Sequence, residues 1–211
     1  MRERPILFNG AMVRAILSGA KSQTRRVVKP QPPAGHNFAG FTTYSTHRAD
    51  EGKAVWAAGE VRAALIDAHR VACPFGQPGD RLWVRETWAQ PVPLDPGPTF
   101  YRADYPACVP SHFENVPPAD SVRWTPSIHM PRKACRLVLE ITEVRVERLQ
   151  AISEADALAE GAMEWAGEQS TPIRDLNAGD ERIAFKALWE STGGDWDANP
   201  WVWAISFRRL P

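Results

Sequence analysis

Residues 21–26 carry three cations and two hydroxyls in six positions: Lys21, Ser22, Gln23, Thr24, Arg25 and Arg26. A lysine gives up its proton more readily when it is buried or sits beside other cations. A neutral Lys21 could then act as the base that turns the Thr24 hydroxyl into a nucleophile. The same six residues also read as a solvated basic turn, and on chemistry alone that plainer reading is preferred.

The rest of the chain carries no competing catalytic signature. There is no glycine-rich phosphate loop, no H-E-x-x-H or paired Cys/His spacing for zinc, and no G-x-S-x-G elbow. His36, His47, His69, His112 and His129 are scattered and read as solvated or structural. Cys73, Cys108 and Cys135 are odd in number, far apart and free of any C-x-x-C pair, so they predict free thiols in a reducing compartment. No apolar run reaches eighteen residues, and none near Met1 is long enough for a secretory signal. The expectation is a cytoplasmic protein with no membrane segment, no metal and no cofactor.

Lys+Arg and Asp+Glu each number 25, so the formal net charge is zero. Zero excludes a uniformly basic, nucleic-acid-coating surface but leaves room for a local basic cleft. The charge is unevenly distributed. Residues 1–29 hold seven basic side chains and one acidic, whereas residues 150–199 hold three basic and eleven acidic. Either the two ends pack together and neutralise each other, or a basic site receives an anion. Charge alone slightly favours the first.

Several elements must position these groups. Residues 6–8 predict a short strand, and Asn9-Gly10 start a helix to about Ser18, with Met12, Val13, Ile16 and Leu17 on one face and Gly19 as its stop. Lys21–Val28 read as a loop running into a strand. Residues 30–40 are turn-rich, and 54–70 predict a helix using Val55, Ala58, Val61, Ala64 and Leu65. Residues 74–80 form a turn before a strand over 81–88. Residues 91–98 read as a surface loop, 99–103 as a strand, and the proline-rich 105–131 as an irregular excursion. Arg136–Leu149 is the strongest strand signal. Its apolar residues change parity at Thr142-Glu143, which predicts a bulge there. Ser153 caps a two-turn helix that Gly161 terminates. A second helix spans about 180–190, with Phe185, Leu188 and Trp189 buried. Trp201, Trp203, Ile205 and Phe207 share one face of a last strand. This order lacks a repeating βαβ pattern and predicts an α+β fold with a mixed or antiparallel sheet.

Four stretches, in this order, carry a resemblance. They are Ile16–Arg26, Gly76–Val84 with its Pro78-Gly79-Asp80 turn, Ser153–Gly161, and Trp201–Phe207. Together with Ile128–Arg132 they resemble the signatures of ASCH domains, members of the PUA-like superfamily, of phage or prophage type. The chain departs from the pattern at Ser22, where threonine is usual, and at Ala20, where a basic residue is common. The resemblance implies a single domain over 1–211. It would be a curled β-barrel flanked by short helices, with long loop insertions near 30–75 and 89–127.

The resemblance also implies a cleft between barrel and first helix, around Lys21, Thr24 and Glu160. One branch of that family hydrolyses N4-acetylcytidine without a metal. By that likeness Thr24 is the nucleophile, Lys21 its base, and Glu160 orients Lys21 or shuttles a proton. Ser22, Arg25, Arg26 and Arg85 are candidate contacts to phosphate or base edges. Trp124, in a loop, is a candidate stacking platform, as are Trp165 and Trp196. Three functions stay open. The chain binds RNA, single-stranded DNA or a modified nucleoside; it is an amidohydrolase of N4-acylated cytosine; or it is a non-enzymatic prophage structural component.

Overall fold

Asn9 starts the first helix because its side chain accepts the Met12 backbone N–H at 2.9 Å. Gly19 ends it in the left-handed conformation, φ 85°. The helix between them, α1 (Gly10–Ser18), buries Met12, Val13, Ala15 and Ile16. It follows strand β1 (Glu3–Leu7) and leads into β2 (Gln23–Val27). The computed structural model describes residues 1–58, 68–90, 97–170 and 172–211.

Beyond β2 come β3 (His36–Phe41), β4 (Ala54–Ala58), β5 (His69–Val71), β6 (Arg81–Arg85), β7 (Trp88–Ala89), β8 (Phe100–Tyr101) and β9 (Val138–Arg148). Helices α2 (Glu154–Ala159), α3 (Ala162–Gly167) and α4 (Glu181–Ser191) precede β10 (Trp201–Arg209). The fold is α+β. Its main sheet has five strands in the order β1-β6-β9-β10-β2. β1 pairs parallel with β6, and the other ladders are antiparallel. Strands β1 and β2 are its two edges, and no ladder among the described residues joins them into the curled barrel that the resemblance implies.

Two elements depart from the expectation. Of the helix expected over 54–70, residues 54–58 are instead β4, which pairs antiparallel with β5 and with β3. Ala54, Val55, Trp56 and Ala57 are all buried. A short strand covered on both faces has the same continuous apolar run as a buried helix, so periodicity cannot separate the two. Val61, Ala64 and Leu65 lie outside the described residues, as does most of the 91–98 loop. The turn-rich 30–40 segment supplies β3, despite its glycines. The strand foreseen over 81–88 is interrupted at Glu86-Thr87, and α3 was not foreseen.

The bulge falls where the parity change put it. Ser206 of β10 pairs with Glu143 and Phe207 with Ile141, so Thr142 is the extra residue of β9. That slip keeps Leu139, Ile141 and Val146 buried on the core side of one strand. They join Ile6, Leu82, Val84, Trp203, Ile205 and Phe207 in one cluster with Val13 and Ile16 of α1. Trp56 of β4 is fully buried and meets Trp201 and Trp203 edge-on at 6.0 and 6.2 Å. Burying each such side chain contributes roughly 1.5–3 kcal/mol. Helix α4 packs on α2 and α3, and α3 reaches α1.

Candidate functional site

Two turns bring Lys21 and Glu160 together. After Gly19 the chain doubles back, and Lys21 N–H donates to the Ala15 carbonyl at 2.9 Å. Ser153 caps α2 by accepting the Asp156 N–H, which fixes Glu160 at the helix's C-terminal cap. Gly161 then turns away at φ 72°. A Cβ at Gly161 would stand 3.0 Å from the Ala15 Cβ and 3.2 Å from the Lys21 Cβ, so glycine is what lets the segments approach. Lys21 and Glu160 pair across an isolated antiparallel bridge, and Ser22 N–H donates to the Ala159 carbonyl at 2.9 Å.

Their side chains also meet. The Lys21 ammonium donates to Glu160 Oε2 at 2.8 Å, to the Glu160 carbonyl at 2.7 Å and to the Gln23 carbonyl at 2.7 Å. These three acceptors use all three of its protons. Both partners are almost wholly inaccessible, at 1% and 4% side-chain exposure. Burial pushes the Lys21 ammonium below the usual lysine range, while Glu160 draws it back up and Arg26 and Arg25 depress it further.

Arg25 holds the other Glu160 oxygen. Its guanidinium donates to Glu160 Oε1 at 3.2 Å, to Gln23 Oε1 at 2.6 Å, to Asp156 Oδ2 at 3.0 Å, and from Nε to Glu147 Oε1 at 2.9 Å. Arg145 donates to both oxygens of Asp156 at 3.1 Å and so braces the ring from outside. The basic N-terminal segment and the acidic later segment do pack together: Arg14 adds a two-pronged pair with Glu168 at 2.8 and 2.6 Å.

Lys21, Thr24, Arg25, Arg26 and Glu160 line one cavity of about 550 Å³. That is within the range of small-molecule pockets, roughly 300–1,000 Å³. Its apolar walls include Phe8, Met12, Phe185 and Trp189. Lys21 and Arg26 lie over the Phe8 ring at 5.6 and 5.2 Å, and Arg25 lies over Phe185 at 5.7 Å. The end of β1 and the strand β2 both line it, so the cavity sits at the seam between the two sheet edges. Arg26 ties that seam by donating to the Leu7 carbonyl at 2.8 Å. Burial lowers the pKa of Arg26, opposed by the charge of Glu160.

Three candidates lie elsewhere. Ser22 is exposed and does not line the cavity. Arg85 donates to the Ile128 carbonyl and lies over Trp83 at 5.5 Å. Trp124 bonds the Ala119 carbonyl and packs edge-on against Tyr105, away from the cavity. Trp165 is buried in the core, and Trp196 packs on Phe185.

The cavity adds residues that the sequence reading missed, chiefly Glu86, Thr87 and Arg102. Glu86 carried a usable signal. It falls in phase with the buried Leu82 and Val84, where a charged side chain needs a partner. Arg136 supplies it, donating to both Glu86 oxygens at 2.9 Å and to both Asp104 oxygens at 2.7 Å. Burial still raises the Glu86 pKa, against the pull of Arg136. Among the described residues, no group of three His, Cys, Asp or Glu side chains is placed to share a metal ion, and no helix is long and apolar enough to cross a membrane.

No family model, curated protein or solved structure matches the chain significantly.

Proposed function

We propose that the cavity binds a single nucleobase or nucleoside, the reading its contents support best. The observation that carries it is the wall composition. A fully paired Lys21–Glu160–Arg25 cluster and aromatic and apolar side chains line one open cleft. A base needs a flat apolar contact and a few fixed polar groups on its edge; the Phe8 and Phe185 rings supply the first, and Thr24 and Arg26, outside the saturated cluster, supply the second. RNA or single-stranded DNA would enter by presenting one unstacked base. The five-stranded sheet then corresponds to the curled sheet of a PUA-like domain in the cytoplasm. That correspondence is supported by the position of the cavity at the β1–β2 seam and by the Arg26–Leu7 tie across it.

A second reading, amidohydrolysis of an N4-acylated cytosine, is favoured by the meeting of Lys21, Thr24 and Glu160. Thr24 Oγ attacks the acyl carbonyl and its proton passes to a neutral Lys21. The C–N4 bond breaks, the proton goes to N4, and the free amine leaves. Water then hydrolyses the acyl-threonine ester, releasing the carboxylic acid and restoring Thr24. The saturated ammonium weighs toward binding without turnover, because a proton must leave Lys21 before it can serve as base.

Purified protein incubated with N4-acetylcytidine, with binding followed by calorimetry and deacetylation by chromatography, separates the two readings. Binding lost in a Glu160→Ala variant supports the pocket. Acetate release that vanishes in Thr24→Val supports the hydrolase. Absence of both binding and turnover overturns both.

A further inference from the structure

We propose that the mouth of the cavity holds the phosphate of a nucleoside 5′-monophosphate, cradled by Arg26, Arg102 and the N-terminus of α1. This rests on the nucleoside reading of the cavity and adds the charge of its ligand. Five cationic side chains line the cavity, against two carboxylates, Glu86 and Glu160. Three of the five are neutralised within the protein. Lys21 and Arg25 share Glu160, with Glu147 and Asp156 also on Arg25, and Arg14 is clamped by Glu168. Glu86 and Asp104 share the Arg136 guanidinium, and neither is in contact with a cavity cation among the described residues. Arg26 and Arg102 are left with no carboxylate in contact among the described residues.

Both residues line the cavity close to the start of α1. Arg26 is tied to the carbonyl of Leu7, three residues before α1 begins. Arg102 precedes Ala103, whose Cα stands 3.7 Å from where a Cβ of Gly10 would be. Between them lies the first turn of α1, which contains no acidic residue. Asn9 satisfies the Met12 N–H and the Asn9 carbonyl takes the Val13 N–H, so the amides of Gly10 and Ala11 have no intrahelical acceptor. Asn9 and Gly10 line the cavity. Free amides, the positive end of a helix and two forked guanidiniums are the donor set that a tetrahedral dianion takes. Gly10 lets this turn sit close against Arg14 and Ala103, since a Cβ there would stand 3.3 Å from Arg14 Nη1 and 3.7 Å from the Ala103 Cα. Arg26 is half-buried and lies over the Phe8 ring, so it gains more from an anion than a fully solvated arginine would. The base end of the ligand would then reach inward to Lys21, Thr24 and Glu160.

Calorimetry with the whole protein tests this, with cytidine, cytidine 5′-monophosphate and ribose 5-phosphate as probes. The monophosphate should bind about tenfold or more tightly than cytidine. Arg102→Ala, at an exposed position outside the catalytic cluster, should reduce that advantage to about threefold or less while cytidine binding is unchanged. Raising salt should shrink the advantage further. Equal affinity for cytidine and its monophosphate overturns the phosphate cradle and leaves the nucleoside pocket standing. Ribose 5-phosphate binding as well as the monophosphate, through Arg102, keeps the cradle and overturns the base pocket. A 5′-phosphorylated oligocytidine that binds through Arg102 while the monophosphate does not overturns the mononucleotide in favour of a chain.

Discussion

Lys21 and Glu160 are joined twice, by an isolated backbone bridge and by a salt bridge of 2.8 Å between their side chains. The bridge fixes where the two Cα atoms sit, and the salt bridge fixes the ammonium against the carboxylate. Removing Glu160 leaves the Lys21 ammonium buried without its carboxylate, whereas removing Lys21 leaves Glu160 still held by Arg25. Glu160→Ala should therefore destabilise the protein by about 3–5 kcal/mol. The double variant Lys21→Met/Glu160→Leu should lose less than the single one, because it buries no charge. Urea denaturation of the three proteins measures this. A double variant as unstable as the single one would show that backbone strain, and not the orphaned charge, sets the cost.

Gly161 should tolerate no side chain. Its φ of 72° already disfavours one, and a Cβ would press on Ala15 and Lys21 at 3.0 and 3.2 Å. Gly161→Ala should cost roughly 1–3 kcal/mol and should displace Lys21 from Glu160. Gly19→Ala shares the left-handed strain, at φ 85°, but has open space around it. Comparing the two separates strain from collision: only the Gly161 variant should also lose ligand binding.

Lys21 makes stability depend on alkaline pH in a defined direction. Its folded-state pKa lies below the usual lysine value because of burial, partly offset by Glu160. Between the lowered folded value and the ordinary unfolded one, the unfolded chain binds the extra proton. Stability therefore rises with pH across that window, and the penalty of a charged Lys21 is fully present below it. Lys21→Met should remove this rise, as read by denaturation midpoints at a series of pH values. If the hydrolase reading holds, turnover should climb over the same pH range, since neutral Lys21 is the base.

Much of the fold was legible because local chemistry and tertiary packing agreed. Asn9, Gly19, Ser153 and Gly161 punctuate their helices as residue type requires, and the parity break at Thr142 located a bulge. The 54–58 strand was not legible, because a doubly buried strand has no polar face to give it a period of two. Within the site, Lys21, Thr24, Arg25, Arg26 and Glu160 converge as read. Arg102 and Thr87 enter the cavity only through the packing of α1 against residue 103, a contact between distant segments with no sequence signature. Trp124 illustrates the converse. A loop position suggested a free ring, yet its ring packs on Tyr105.

Ser22, Arg85 and Trp124 should be spectators of ligand binding. None lines the cavity, and Arg85 and Trp124 are occupied with contacts of their own. Replacing each with alanine should leave affinity for the cavity ligand within about twofold, since none of the three side chains lines the cavity. Phe8→Ala, by contrast, removes the ring beneath Lys21 and Arg26. It should weaken binding about tenfold or more. A Trp124→Ala effect as large as that of Phe8→Ala would relocate the site.

Arg25 is a positioning residue, and its substitutions should separate geometry from charge. Its side chain is fully inaccessible and spreads five donor contacts over four partners, Glu147, Asp156, Gln23 and Glu160. Lysine carries the same charge as a single point and cannot span that set. Arg25→Lys should thus loosen Glu160 and lower turnover or affinity about tenfold or more, at a stability cost of about 1.5–3 kcal/mol. Because Arg25 also depresses the Lys21 pKa through space, Arg25→Lys should leave the alkaline pH profile in place. Arg25→Gln removes the charge and should move that profile to higher pH, because Lys21 then holds its proton longer. A profile that stays put in both variants would mean that Arg25 acts on Lys21 through packing alone.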